Sequence, residues 1–230
     1  MDKSLVEYNR KSFIEIGEIY FWTATINNWH RLLLQDKYKD VIIESLQYLS
    51  STNKIDVFAF VIMPNHIHLI WRIKELNGKE TAQGSFLKYT AHEFKKLLKK
   101  EAPGSLLQYK VLANNKSYEF WQRDSLAIRL YTKEVALQKL KYIHNNPLVE
   151  HWSLVKDPTD YKYSSARYYE MDENKFAFLT ICCTSLEEVL TRRTLGTFFN
   201  LSIKFNLRKR YCLLLGNVSA LCIVLRGNKQ

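Results

Sequence analysis

The 230-residue chain is 47% hydrophobic and 13% aromatic, with 7 Gly and 4 Pro, a composition that supports a packed core and excludes a low-complexity or largely disordered polypeptide. Its formal charge of +11 and pI near 9.4 point to a polyanionic partner, nucleic acid before an anionic membrane. The excess is uneven: residues 171–230 hold nine Lys/Arg against four Asp/Glu, which leaves residues 1–170 at +6.

In chain order, Ile19–Ile26 ("IYFWTATI") is rich in aromatic and β-branched residues and predicts a strand. Tyr38, Ile42, Leu46 and Leu49 recur at helical spacing in "DKYKDVIIESLQYLSS". "KIDVFAFVIM" predicts a second strand, Met63-Pro64-Asn65 a tight turn, and "HIHLIWRI" the returning hairpin strand. "SFLKYTAHEFKKLLKK" predicts a second amphipathic helix, with Phe86, Tyr89, Phe94 and Leu97 on its apolar side. Its lysines, Lys88, Lys95, Lys96, Lys99 and Lys100, read as a solvated face. Glu101–Glu119 reads as loop, Ser125–Thr132 as a fourth strand, and Lys133–Asn146 as a helix stopped by Pro147. The order is that of an α+β, ferredoxin-like β-α-β-β-α-β antiparallel sheet with an extra C-terminal helix.

Residues 181–230 differ from this body. Cys182, Cys183, Cys212 and Cys222, the only cysteines, fall there at spacings that match no zinc pattern. A reduced, intracellular protein is expected, and "MDKSLVEYNR" has no signal-peptide pattern. The longest apolar run, Tyr211–Leu225, is shorter than the ~20 residues of a membrane span and is interrupted by Gly216, Asn217 and Ser219, so no membrane partner is expected. The division is a catalytic-type domain over residues 1–180 and an atypical basic and apolar tail over 181–230, either a binding extension or a read-through end without function.

Two histidines interrupt the apolar run "FVIMPNHIHLIW". On a strand, residues two apart share a face, so His66 and His68 project side by side, a ready half-site for a metal. Two ordinary polar residues near a strand end are the alternative. On the last helix, Tyr142 and Asn146 lie one turn apart on one face, beside the stripe Ala136, Leu140 and Ile143. A rim tyrosine and a helix-ending asparagine would look the same. His144 lies about 200° round the helix from Tyr142 and is expected to face away.

"MPNHIHLIW" followed by "YIHNNP", with "FWQRD" between them and "YKYSSARYY" after, resembles the HUH single-strand transposase superfamily. The likeness is greatest to the IS200-like and REP-associated tyrosine transposases, over Ile16 to Thr180. The resemblance implies that His66 and His68 are metal ligands, Asn146 the third ligand and Tyr142 the nucleophile. It further implies Mg2+ or Mn2+, single-stranded or hairpin DNA as partner, a 5′-phosphotyrosine intermediate, and a bacterial cytoplasmic, nucleoid-associated setting. A homodimer is left open. Arg72, Lys74, Arg123 and Arg129 are the candidate DNA contacts. Trp121, Tyr168 and Tyr169 offer stacking surfaces but read first as core. The competing functions are a non-catalytic, domesticated nucleic-acid binder on the same fold and a phosphohydrolase that uses water.

Overall fold

A computed structural model describes residues 14–113, 116–123 and 125–180. The cysteines, the apolar run Tyr211–Leu225 and the tail 181–230 lie outside the described residues. Among the described residues, no helix is long and apolar enough to cross a membrane.

Strand β1 (Ile19–Thr25) is followed by helix α1 (Asp36–Ser51), the hairpin β2 (Ile55–Ile62) and β3 (His66–Ile73), and helix α2 (Ala82–Glu101). A short helix α3 (Pro103–Leu106) and a two-stranded ribbon, β4 (Lys110–Ala113) and β5 (Lys116–Tyr118), come next. Strand β6 (Leu126–Arg129), helix α4 (Lys133–Asn145) and a short helix α5 (Ala166–Met171) complete the order. Four strands form one antiparallel sheet in the order β2-β3-β1-β6. Counted along the chain the core strands lie 2-3-1-4, the ferredoxin-like arrangement.

Strands β2 and β3 are buried on both faces, which explains their nearly unbroken apolar letters. On one face Trp22 and Trp71 stack at 4.8 Å, and Phe86 of α2 meets Trp22 edge-on at 5.7 Å. The α2 stripe is Phe86, Thr90, Phe94 and Leu98, one position round from the expected set, with Tyr89 exposed. Thr90 can sit there because it is satisfied: its hydroxyl donates to Phe86 O and accepts from Trp121 Nε1 at 2.9 Å. The opposite face carries Phe21, Thr23, His66 and His68 beneath α4, which buries Ala136, Leu140 and Ile143.

The outer edge of β2 is covered by the chain that follows α4. Val61 bridges Ser164, Ile62 N donates to Tyr163 O, and Thr180 N donates to Val57 O at 2.8 Å. The tyrosines of "YKYSSARYY" dock on the same edge: Tyr161 donates to Ile62 O at 2.7 Å and Tyr169 to Phe58 O at 2.8 Å. Glu101–Glu119, expected to be loop, instead holds α3 and the β4-β5 ribbon, elements too short to leave a periodic signature.

Candidate active site

His66 and His68 enter the site from β3 with their ring centroids 4.6 Å apart. Each has one ring nitrogen occupied by a neighbour. The β1–β3 register sets Thr23 opposite His68, and Thr23 Oγ1 meets His68 Nδ1 at 2.7 Å. Asn65, the last residue of the hairpin turn, places Oδ1 2.7 Å from His66 Nδ1. Asn65 Nδ2 donates to Trp29 O at 3.4 Å, which fixes the orientation of its amide. Oδ1 therefore accepts from His66 Nδ1–H, and the lone pair of His66 stays on Nε2.

Helix α4 supplies the rest. Tyr142 is 48% exposed, so this helix position faces solvent in part. Its ring lies edge-on to His68 at 5.2 Å and to Phe21 at 5.9 Å. Asn146 follows the last residue of α4 but keeps helical backbone angles of −56° and −41°, so it remains one turn beyond Tyr142. It is buried beside His66, near enough for its side chain to favour the protonated imidazole. Lys139, one turn before Tyr142, holds its ammonium 4.9 Å from the centre of the Phe21 ring and 5.8 Å from that of Tyr142.

Burial keeps both histidines neutral. It pushes His66 down to about 4, against the opposing pull of Asn146 and with a smaller contribution from His151. Burial also holds His68 well below the usual imidazole range, helped by His66 and Lys139. Two polar atoms of the cluster, His68 Nε2 and Asn146 Oδ1, are buried without a hydrogen-bond partner. Each such orphan costs on the order of 1–3 kcal/mol. Asn146 Oδ1 offers a lone pair, and His68 Nε2 offers one in the tautomer whose Nδ1–H donates to Thr23 Oγ1, a pairing that a divalent cation fits. Among the described residues no three His, Cys, Asp or Glu side chains converge, so the candidate donor set is two imidazoles and an amide oxygen.

His144 points elsewhere. Its Nε2 lies 2.9 Å from Ser165 Oγ and its ring packs against Tyr169, so it ties α4 to the segment along β2. Arg72 and Lys74 sit at the far end of β3, opposite the start of β1. Arg72 is held by Asp56 at 2.5 Å; Lys74 bonds Asn53 and lies 3.6 Å from Asp56. Arg129 pairs with Tyr20 in the ladder, which puts it on the opposite face from the histidines, bound to Glu15 and Glu18. Arg123 is at the histidine end, since its neighbour Gln122 donates to Thr25 O across from His66, and it pairs with Glu119 at 3.0 Å. Trp121 and Tyr168 are core.

Asn65, Thr23 and Lys139 escaped the sequence reading. Lys139 had a local signal in its three-residue spacing from Tyr142 and Asn65 in its place next to His66, whereas Thr23, 45 residues from His68, had none. An open cleft of about 390 Å3 lies elsewhere, lined by His30, Tyr38, Leu98, Glu101 and Tyr109 among others. Lys37 and Glu101 pair within its lining, and it brings no comparable set of unpartnered donors together.

No protein-family model matches the chain, and no curated protein does. Several solved structures are similar to it, and two illustrate the likeness. One is a REP-associated tyrosine transposase bound to a REP hairpin, 17% identical, covering 79% of this chain and 92% of its own, with a TM-score of 0.49. The other is a candidate transposase from Deinococcus radiodurans R1, 16% identical, covering 63% and 97%, with a TM-score of 0.32.

Proposed function

We propose that the chain is a metal-dependent transesterase that nicks and rejoins single-stranded DNA at hairpin-flanked sites, a transposase chemistry, with Tyr142 as nucleophile. The observation that carries this reading is the Tyr142 cluster. A half-exposed phenol stands against His68, on the helix that also delivers the unsatisfied Asn146 Oδ1 to a pair of buried, neutral histidines. A solvent-facing tyrosine beside lone-pair donors suits attack on a large phosphodiester better than it suits packing.

In the proposed step the Tyr142 oxygen forms a bond to phosphorus as the bond from phosphorus to the 3′ oxygen breaks. The phenolic proton leaves to solvent and the leaving oxygen takes one up, giving a 5′-phosphotyrosine and a 3′-OH. Attack by the 3′-OH of a second strand restores the phenol and joins the strands, without a nucleotide cofactor. His66 and His68 through Nε2, with Asn146 through Oδ1, would hold Mg2+ or Mn2+, which when bound neutralises and orients the phosphate. Thr23 and Asn65 keep the imidazoles in the ligating tautomer. Lys139, flanked by two aromatic faces and without a carboxylate partner among the described residues, offers its charge to the same phosphate.

The test is covalent capture. Wild-type protein incubated with Mn2+ and labelled hairpin DNA carrying single-stranded flanks, drawn from the sequence around its own gene, should give an adduct that survives denaturation. Tyr142→Phe and His66→Ala should give none. Strand cleavage that persists in Tyr142→Phe would instead establish a water-dependent hydrolase.

A further inference from the structure

The aromatics nominated by the sequence are not available to a strand: Trp121 and Tyr168 are buried, and the Tyr169 hydroxyl is engaged with Phe58 O. Trp29 is available. It is 62% exposed and follows β1 directly at the histidine end of the sheet. Its backbone is costly: Asn28 and Trp29 have φ of 53° and 58°, a region that asparagine tolerates and a bulky aromatic rarely enters. The loop is nonetheless firmly held. Ile26 N donates to Asn65 O at 2.8 Å, Asn27 N to Phe120 O at 2.7 Å, and Trp29 O accepts from Asn65 Nδ2. The residue that orients His66 thus also holds the backbone from which this exposed indole projects. Arg31, two residues after Trp29, holds its guanidinium 5.4 Å from the centre of the Trp152 ring, which itself lies 6.0 Å from the His66 ring.

Packing gives no reason to keep a large ring in water on a strained backbone, whereas an unpaired base does. We infer that Trp29 is a stacking platform for a base of the single strand whose phosphate is presented to His66 and His68. The inference rests on the transesterase reading for the identity of the strand, and its test is independent of cleavage.

Binding is measured by fluorescence anisotropy with the full chain carrying Tyr142→Phe, so that no cleavage intervenes. The probes are labelled oligothymidylate and an abasic strand of the same length with the same phosphates. The background chain should bind the base-bearing strand more tightly. Adding Trp29→Gly should weaken oligothymidylate binding roughly 5- to 150-fold and leave the abasic strand nearly unchanged. Trp29→Tyr should recover most of the loss. Because glycine accepts positive φ, the Trp29→Gly chain should melt no lower than its background, which separates lost stacking from lost fold. Unchanged oligothymidylate binding, or equal loss on both strands, would overturn the inference. An adduct in the capture assay without base-dependent binding removes this inference and leaves the transesterase reading. Base-dependent binding without an adduct does the reverse.

Discussion

At the scale of single residues, the candidate site rests on the side chains that hold its histidines. Thr23 and Asn65 each occupy Nδ1 of one histidine, which leaves Nε2 for the proposed metal. Thr23→Val keeps the shape and removes the hydroxyl, so His68 loses its orientation while the fold is little disturbed. Mn2+ affinity, read by electron paramagnetic resonance titration of free ion, should fall about 10- to 100-fold, the usual consequence of deleting such a partner. Unchanged affinity would mean that Thr23 is only a packing residue. Lys139 gives a complementary expectation. Lys139→Met preserves the stem over Phe21 but removes the charge, and adduct formation should slow by roughly 10²-fold, with Lys139→Arg recovering most of it. A loss equally severe in both variants would assign the residue to packing.

Helix α4 is a platform with two differently used faces. One presents Tyr142 and Asn146; the other is fastened to the β2 edge through His144 and Ser165, whose Oγ also accepts from Phe60 N at 3.0 Å. Burial depresses His144 to about 3 from an ordinary 6.5. Between those values the unfolded chain binds a proton that the folded chain refuses, so the stability present above pH 6.5 is lost as the pH falls. By about pH 5 the loss from this residue alone is about 2 kcal/mol. Thermal melts should therefore show an acid limb, to which His66 and His68 also contribute, that His144→Gln makes less steep. An equally steep limb in that variant would place the acid sensitivity elsewhere. The same element shows what the sequence discloses. His66 with His68, and Tyr142 with Asn146, are spaced by the strand and helix periods, so each pair is legible from local letters alone. That Thr23 stands opposite His68, that Trp29 is anchored by Asn65, and that Arg129 falls on the wrong face are matters of cross-strand register and turn geometry. Those follow from which strands pair, and no local window contains that information. The β4-β5 ribbon and α5 escaped for a simpler reason, being too short to repeat the period that would announce them.

At the scale of the whole chain, charge and fold are distributed differently. The four arginines and lysines expected to grip DNA are bound to acidic or amide side chains within the protein, three of them away from the histidines. Residues 181–230 hold eight Lys/Arg and two Asp/Glu, so a chain ending at Thr180 would keep 26 Lys/Arg against 21 Asp/Glu, a net +5. The candidate site residues and the described cover of the β2 edge fall within that length, the Thr180 N to Val57 O bond being the last such contact among the described residues. Phe178, fully buried against Phe60, belongs to the body as well. Truncation after Thr180 should therefore leave the rate of adduct formation at saturating DNA unchanged. Removing net positive charge should also weaken binding at low salt and flatten the dependence of affinity on salt concentration. Truncation before Phe176 should unfold the protein or lower its melting temperature sharply, since losing a buried phenylalanine alone costs about 3–5 kcal/mol. If the longer truncation product binds hairpin DNA with full affinity and an unchanged salt slope, the tail contributes nothing to the DNA interface. If it fails to form the adduct even at saturating DNA, the tail completes the site, and the assignment of catalysis to residues 1–180 falls.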